Sequence, residues 1–425
     1  MGRSVPRLLA STFLSIVAGL LGACGNSEPP QGADGDPGCA LLVTQSKFNT
    51  IDGRIKGVAR FLIAYPGEDA WTFDVIDDND CDVFHKAMPC ELPGEAPAIL
   101  TIGANEAPAP ALAKLWRRTR EGWQSTVFWK ARYGDAFNRF RDVEIGDVTG
   151  DGDPEVVLAT HDRGVVVVLQ KIGSAWQPTE IDRSVEETFV HEIELGDVTG
   201  DGRAEIIATP SAPNVRDGGP QPGKIVMYRY RDGVFGRHVL EEFPARHVKE
   251  ILIAPFEEGS KSDLYAAIEV GLPTTTRPET LESRGIVDIV RYRFDRDQVS
   301  REVIVSLPDR MCRFLHLADV DGDGVKELIA SAFRSGLWMI KYEEGTWIAD
   351  RIDANSSGIE HASALADLDG DGIPEIYVAA DDQQKLRRYE WDGQTFHRTE
   401  LREFDKWDLT WSITPCLDAK CLAVQ

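Results

Sequence analysis

Apolar and polar positions alternate in short runs along most of this chain, and one longer pattern is written four times. Ile145-Gly-Asp-Val-Thr-Gly-Asp-Gly-Asp-Pro-Glu-Val-Val-Leu158 recurs as Leu195–Ala208, Leu317–Ala330 and Leu365–Val378. Each copy reads as an apolar strand, a nine-residue acidic loop and a second apolar strand. The loops open at Asp147, Asp197, Asp319 and Asp367, and their ninth positions are Glu155, Glu205, Glu327 and Glu375. Strand–loop–strand units at a period of roughly 50 residues predict stacked repeats rather than one sheet-and-helix domain.

A second pattern counts units where the acidic loop is lost. An outer hairpin recurs around Trp71, Trp123, Trp176, Phe235, Val299, Trp347 and Phe396, at spacings of 52, 53, 59, 64, 48 and 49 residues. Asp232-Gly233 and Asp392-Gly393 are two-residue hairpin turns. With four strands per unit and no amphipathic helix after residue 39, the pattern predicts an all-β, seven-bladed β-propeller. The marker aromatics read as packing between neighbouring blades in preference to a carbohydrate-stacking set. Units near Leu252–Asp263 and Cys90–Pro97 keep strands without ligands. Trp411–Cys416 reads as an innermost strand with only Leu417–Gln425 after it, whereas Gly57–Tyr65 and Trp71–Ile76 are outer strands with none ahead. The two ends are therefore expected to complete one blade, which removes free sheet edges.

The acidic loops resemble the FG-GAP/VCBS repeats of integrin-α-like propellers, over about residues 80–410. That resemblance implies calcium between the first and second strands, up to four ions in all, in a structural role. The ligands it implies are Asp147, Thr149, Asp151, Asp153 and Glu155; Asp197, Thr199, Asp201, Arg203 and Glu205; Asp319, Asp321, Asp323, Val325 and Glu327; and Asp367, Asp369, Asp371, Ile373 and Glu375. The seventh-position residues Asp153, Arg203, Val325 and Ile373 would offer only a backbone carbonyl. Elementary chemistry agrees: alternate oxygens of a tight turn converge, glycine at position six permits the bend, and hard oxygens suit calcium. An EF-hand would need an acid at position twelve, but Leu158, Ala208, Ala330 and Val378 stand there. The Thr149 and Thr199 loops carry less charge and are expected to bind more weakly.

Six residues before each loop-opening aspartate lie Arg141, His191, Arg313 and His361, and Lys249 aligns with them. Strand alternation would place these side chains at the central funnel on the face opposite the calcium loops. There they would either salt-bridge adjacent blades or form a possible ligand face for carboxylates or sulfates. Two insertions, Ser211–Gly223 and Gly271–Gly285, fall between second and third strands and return to that same end.

Composition bounds the partners. Seventy acids against 46 bases give a net charge of −24, which disfavours nucleic acid. Residues 1–23 read as a lipoprotein signal peptide: Arg3 and Arg7 precede an apolar run that is short for a spanning helix and ends Leu21-Gly22-Ala23-Cys24. This resembles a bacterial lipobox, which implies diacylation of Cys24 and a membrane anchor without a span. Residues 24–38 then form a flexible tether, and 39–425 the propeller. Gly25 after Cys24 favours the outer membrane or cell surface. Six further cysteines suggest disulfides, with Cys81–Cys90 and Cys416–Cys421 preferred and Cys39–Cys312 left over.

These readings converge on a monomeric, lipid-anchored, calcium-stabilised binding or adhesion module at the cell envelope, without catalysis, for a protein or anionic glycan. The alternative is a carbohydrate-active enzyme of polysaccharide lyase or dehydratase type. His191 or His361 would serve as its base, and Arg141 or Arg313 would neutralise a uronate carboxylate.

Overall fold

A computed structural model describes residues 38–51, 54–67, 70–213, 220–270, 285–295 and 298–424. The signal peptide, Cys24 and the tether up to residue 37 lie outside the described residues, as do 214–219 and 271–284 of the two insertions. Among the described residues no helix is long and apolar enough to cross a membrane.

The fold is an all-β propeller. One sheet joins the chain ends: β1 (Ala40–Ile51), β2 (Arg54–Tyr65) and β3 (Thr72–Asp78) pair behind β28 (Asp408–Cys416), in the order β28-β1-β2-β3. β4 (Val83–Cys90), β5 (Ala98–Glu106), β6 (Ala111–Thr119) and β7 (Gly122–Ala131) follow as a meander. So do β8 (Phe137–Gly146), β9 (Glu155–Thr160), β10 (Val166–Ile172) and β11 (Ala175–Asp182). The next sheet is β12 (Phe189–Gly196), β13 (Glu205–Ser211), β14 (Gly223–Arg231) and β15 (Val234–Phe243). After it come β16 (His247–Ala254), β17 (Asp263–Glu269), β18 (Val287–Asp295) and β19 (Gln298–Leu307). The last two sheets are β20 (Cys312–Ala318), β21 (Glu327–Ala332), β22 (Gly336–Glu343), β23 (Thr346–Asp353), and β24 (Ser363–Ala366), β25 (Glu375–Ala380), β26 (Lys385–Trp391), β27 (Phe396–Glu403).

Two expectations change. The structure has five separate four-stranded sheets, not seven, because β4–β7 and β8–β11 merge into one eight-stranded sheet. The join is Ala104–Glu106 of β5 paired with Phe137–Arg139 of β8. Asn105 and Asn138 hold it: Asn105 donates to Asp80 O and Pro110 O, and Asn138 accepts from Tyr133 and Gly134 while donating to Ala109 O. The N-terminal segment also supplies one strand more than its sequence pattern suggests: β1 lies between β28 and β2.

The second strands β9, β21 and β25 are buried at every position, and the fourth strands β11 and β23 are exposed at half or more of theirs. Apolar clusters therefore form between successive sheets rather than in one central core; one joins β9, β10, β12, β13 and β14 through Val157, Val168, Ile193, Ile206 and Tyr228. Burial of this kind contributes about 25 cal/mol per Å² of apolar surface. A polar latch repeats beside it. Tyr228 donates to Asp182 of the preceding sheet, which Arg237 also grips; Tyr389, Asp353 and Arg398 repeat the arrangement, and Tyr292, Glu241 and Arg301 do so as well. The marker aromatics sit in such joints: Trp71 meets Tyr377, Trp176 meets Phe128 and Trp347 meets Phe256.

Of the expected disulfides, Cys416–Cys421 is formed. Cys81, Cys90 and Cys312 are instead buried free thiols, and Cys39 is buried as well. Cys81 packs with Phe84 and Ala87, whereas Cys90 belongs to a different apolar cluster with Leu92 and Ala98.

Candidate functional site: acidic loops and the axial ring

Each acidic loop is built on its first aspartate. Asp147 Oδ1 accepts the N–H groups of Gly150 and Asp151 at 2.6 and 3.2 Å, and Oδ2 accepts that of Gly152 at 2.9 Å. Asp197 and Asp319 repeat all three contacts, and Asp367 keeps those from Gly370 and Gly372. The sixth-position residues Gly152, Gly202, Gly324 and Gly372 have φ of +95°, +86°, +88° and +94°. Only glycine adopts these without strain. The seventh-position N–H groups of Asp153, Arg203, Val325 and Ile373 donate to the fifth-position aspartates Asp151, Asp201, Asp323 and Asp371.

The ninth-position glutamates Glu155, Glu205, Glu327 and Glu375 are 1–3% exposed at the start of the second strand. Each accepts a backbone N–H from the loop, at Val148, Val198, Val320 or Leu368. Burial raises the carboxyls of Glu155 and Glu375 to about 7 and that of Glu327 to about 8. Burial also raises Glu205, with Arg229 pulling it back. A buried carboxylate of this kind calls for a cation. In the first two loops the third-position hydroxyl bonds this glutamate, Thr149 to Glu155 at 3.0 Å and Thr199 to Glu205 at 2.8 Å.

Among the described residues, three loops bring three carboxylates within 4.8 Å of one another: Asp197, Asp201 and Glu205; Asp319, Asp321 and Glu327; Asp367, Asp369 and Asp371. The Asp319 and Asp367 sets are all-oxygen donor groups of the kind a hard divalent cation takes. The Asp147 loop does not gather three such carboxylates, and the amide of Gln170 reaches Asp151 at 3.1 Å. The Asp197 set is already occupied by a side chain: Arg229 lies 3.2–3.3 Å from Thr199, Asp201 and Glu205.

At the other end, the first strands β4, β8, β12, β16, β20, β24 and β28 touch in a closed cycle around the axis. All but β24 skip register at the same place, leaving His85, Arg141, His191, Lys249, Arg313 and Trp411 out of the ladder. A bulge leaves one residue out of the ladder and re-aims its side chain. Here the re-aimed groups meet at the axis. Arg141 pairs with Glu360 at 3.2 Å, Arg313 reaches the same carboxylate at 3.8 Å and Glu269 at 3.1 Å, and His247 also contacts Glu269, at 3.0 Å. His191 Nδ1 lies 3.1 Å from His161 Nε2, and His85 packs on Trp411.

These residues are not solvent-lining. Arg141, His191, Lys249 and Arg313 are 8, 3, 2 and 7% exposed. Burial lowers the Lys249 ammonium to about 7, helped by Arg313 and Arg141. Burial likewise holds His191 well below its ordinary value, with Lys249 adding to the effect. His361 does not join this group. Its Nε2 lies 2.7 Å from Ser356 Oγ and its Nδ1 2.7 Å from Ala332 O, so neither nitrogen is open for proton abstraction.

Sequence reasoning missed His85, His161, His247, Glu269 and Glu360. The triplet Phe84-His85-Lys86 matches Phe140-Arg141-Asp142, Val190-His191-Glu192 and Val248-Lys249-Glu250 in its apolar–ionisable–charged order, a signal that survives where the acidic loop does not.

The segments entering first or third strands share the end where the ring sits, because successive strands run antiparallel. That end exposes Val185 at 92%, Trp407 at 65% and Ile286 at 56%, with Phe137 and Ile359 also exposed.

The FG-GAP-like repeat family matches residues 147–208 and 319–378. No curated protein sequence matches the chain. Among solved structures, the crystal structure of a "putative 6-phosphogluconolactonase" from Bacteroides uniformis ATCC 8492 superposes with a TM-score of 0.52 at 12% identity. The match covers 88% of this chain and 99% of that one, and at this identity it speaks to fold alone. The four acidic loops and the sheets that carry them make this chain a β-propeller with FG-GAP-like repeats.

Proposed function

We propose that this propeller is a non-catalytic binding module, stiffened by calcium in its acidic loops and held at the cell envelope by a lipid on Cys24. The partner that best fits is a protein. The observation that carries this is the exposed set Phe137, Val185, Ile286, Ile359 and Trp407 on one end of the fold. Exposed aliphatic and aromatic groups on one face suit a protein interface. A uronate-bearing glycan would need an accessible cation, and Arg141 and Arg313 are spent on Glu360 and Glu269.

One observation favours the lyase-like alternative: His191 Nε2 is buried without a hydrogen-bond partner. The test treats both readings. Full-length protein in detergent is immobilised and used to capture envelope proteins, alongside the pair Val185→Asp and Trp407→Asp. A partner held by the wild type and lost by the pair, at equal melting temperature, supports the proposal. The same preparations are incubated with uronic-acid polysaccharides. Unsaturated product that disappears in His191→Ala would replace the binding reading with the catalytic one.

A further inference from the structure

We infer that the Asp197 loop takes no divalent cation, because the guanidinium of Arg229 already fills that role. This rests on the reading of the other acidic loops as calcium sites. Arg229 lies on β14, one step beyond the Ile206–Tyr228 pair and so opposite Glu205. Its Nη2 donates to Thr199 Oγ1 at 3.2 Å and to Asp201 Oδ2 at 3.3 Å, and its Nε lies 3.3 Å from Glu205 Oε1. These are the third, fifth and ninth positions of the loop. The side chain is 11% exposed, and Arg231 adds a second contact to Asp201 at 3.5 Å.

Among the four acidic loops, only this one has an arginine opposite its ninth-position glutamate. The residues at the same place on the third strand are Gln170, Lys341 and Glu390 in the other three. Lys341 makes its ion pairs with Glu343 and Asp350. Arg388 approaches Glu375, at 3.8 Å, and otherwise pairs with Glu390.

The sheet that has lost its loop ligands supplies an independent instance. Asp263 pairs with Ala254 across β16 and β17, as Glu205 pairs with Gly196, so it stands at the ninth-position register. Arg291, from the third strand of that sheet, holds it at 2.5 and 2.8 Å. Both sheets thus neutralise the inner carboxylate with a tethered cation. A guanidinium fixed on the neighbouring strand is present at unit occupancy and needs no ion from solution. Calcium entering the Asp197 loop would have to displace it and leave its charge beside Lys261, which already contacts Thr199 O at 3.3 Å.

Calcium stoichiometry of the full-length, detergent-solubilised protein tests this, by equilibrium dialysis after chelator treatment. In the wild type, Asp321→Asn and Asp371→Asn each remove one ion, whereas Asp201→Asn leaves the count unchanged. Arg229→Met adds one ion per chain. Loss of one ion in Asp201→Asn, or an unchanged count in Arg229→Met, overturns the inference. If Arg229→Met does not fold, the Asp201→Asn arm decides. A wild type that binds none beside an Arg229→Met that binds one defeats the calcium reading but not this inference.

Discussion

Arg141 and Glu360, 219 residues apart in the chain, meet as a buried ion pair at 3.2 Å on the axis of the propeller. Arg313 shares the same carboxylate from a third first-strand neighbourhood, at 3.8 Å. The pair therefore ties sheets that are distant in sequence, and it explains why basic residues recur at the bulge: they lock the ring.

Removing that carboxylate leaves two guanidinium groups with one acid between them. Glu360→Gln should destabilise the fold by about 3–5 kcal/mol, the usual cost of orphaning a buried charge. Thermal and denaturant unfolding measure this. In a double-mutant cycle, Arg141→Met should recover part of the loss. Additive effects of the two substitutions would show that the pair contributes nothing.

Lys249 sets a pH dependence. Its folded value is about 7, against about 10.4 in an unfolded chain. Between those values the unfolded chain binds the extra proton, so stability rises as pH increases from about 7 toward 10. Below 7 both states are protonated and the penalty is constant. Lys249→Met should flatten the melting temperature across that window; an unchanged slope would assign it to other groups.

Calcium removal should lower the melting temperature. At free calcium 100-fold above a site's dissociation constant, each occupied site contributes about 2.7 kcal/mol. Asp319→Ala with Asp367→Ala should blunt the chelator response, since those loops hold convergent carboxylates without the three-point guanidinium contact that Arg229 makes at Asp197. An equal response in the double variant would place the effect elsewhere.

The repeated strand–loop–strand sentence, together with the outer hairpins and four strands per unit, was enough to determine an all-β propeller, and it placed glycine where each loop bends sharply. These are local properties, fixed by spacing within a single unit. The tertiary structure alone decided which charges meet. Arg229 enters the Asp197 loop from a strand 24 residues downstream of Glu205, Glu360 crosses the axis to Arg141, and Cys81 and Cys90 end in different apolar clusters. Periodicity reports which face a residue occupies, but the partner of a buried charge depends on bulges and on strands brought together by ring closure. No pattern in one repeat encodes that.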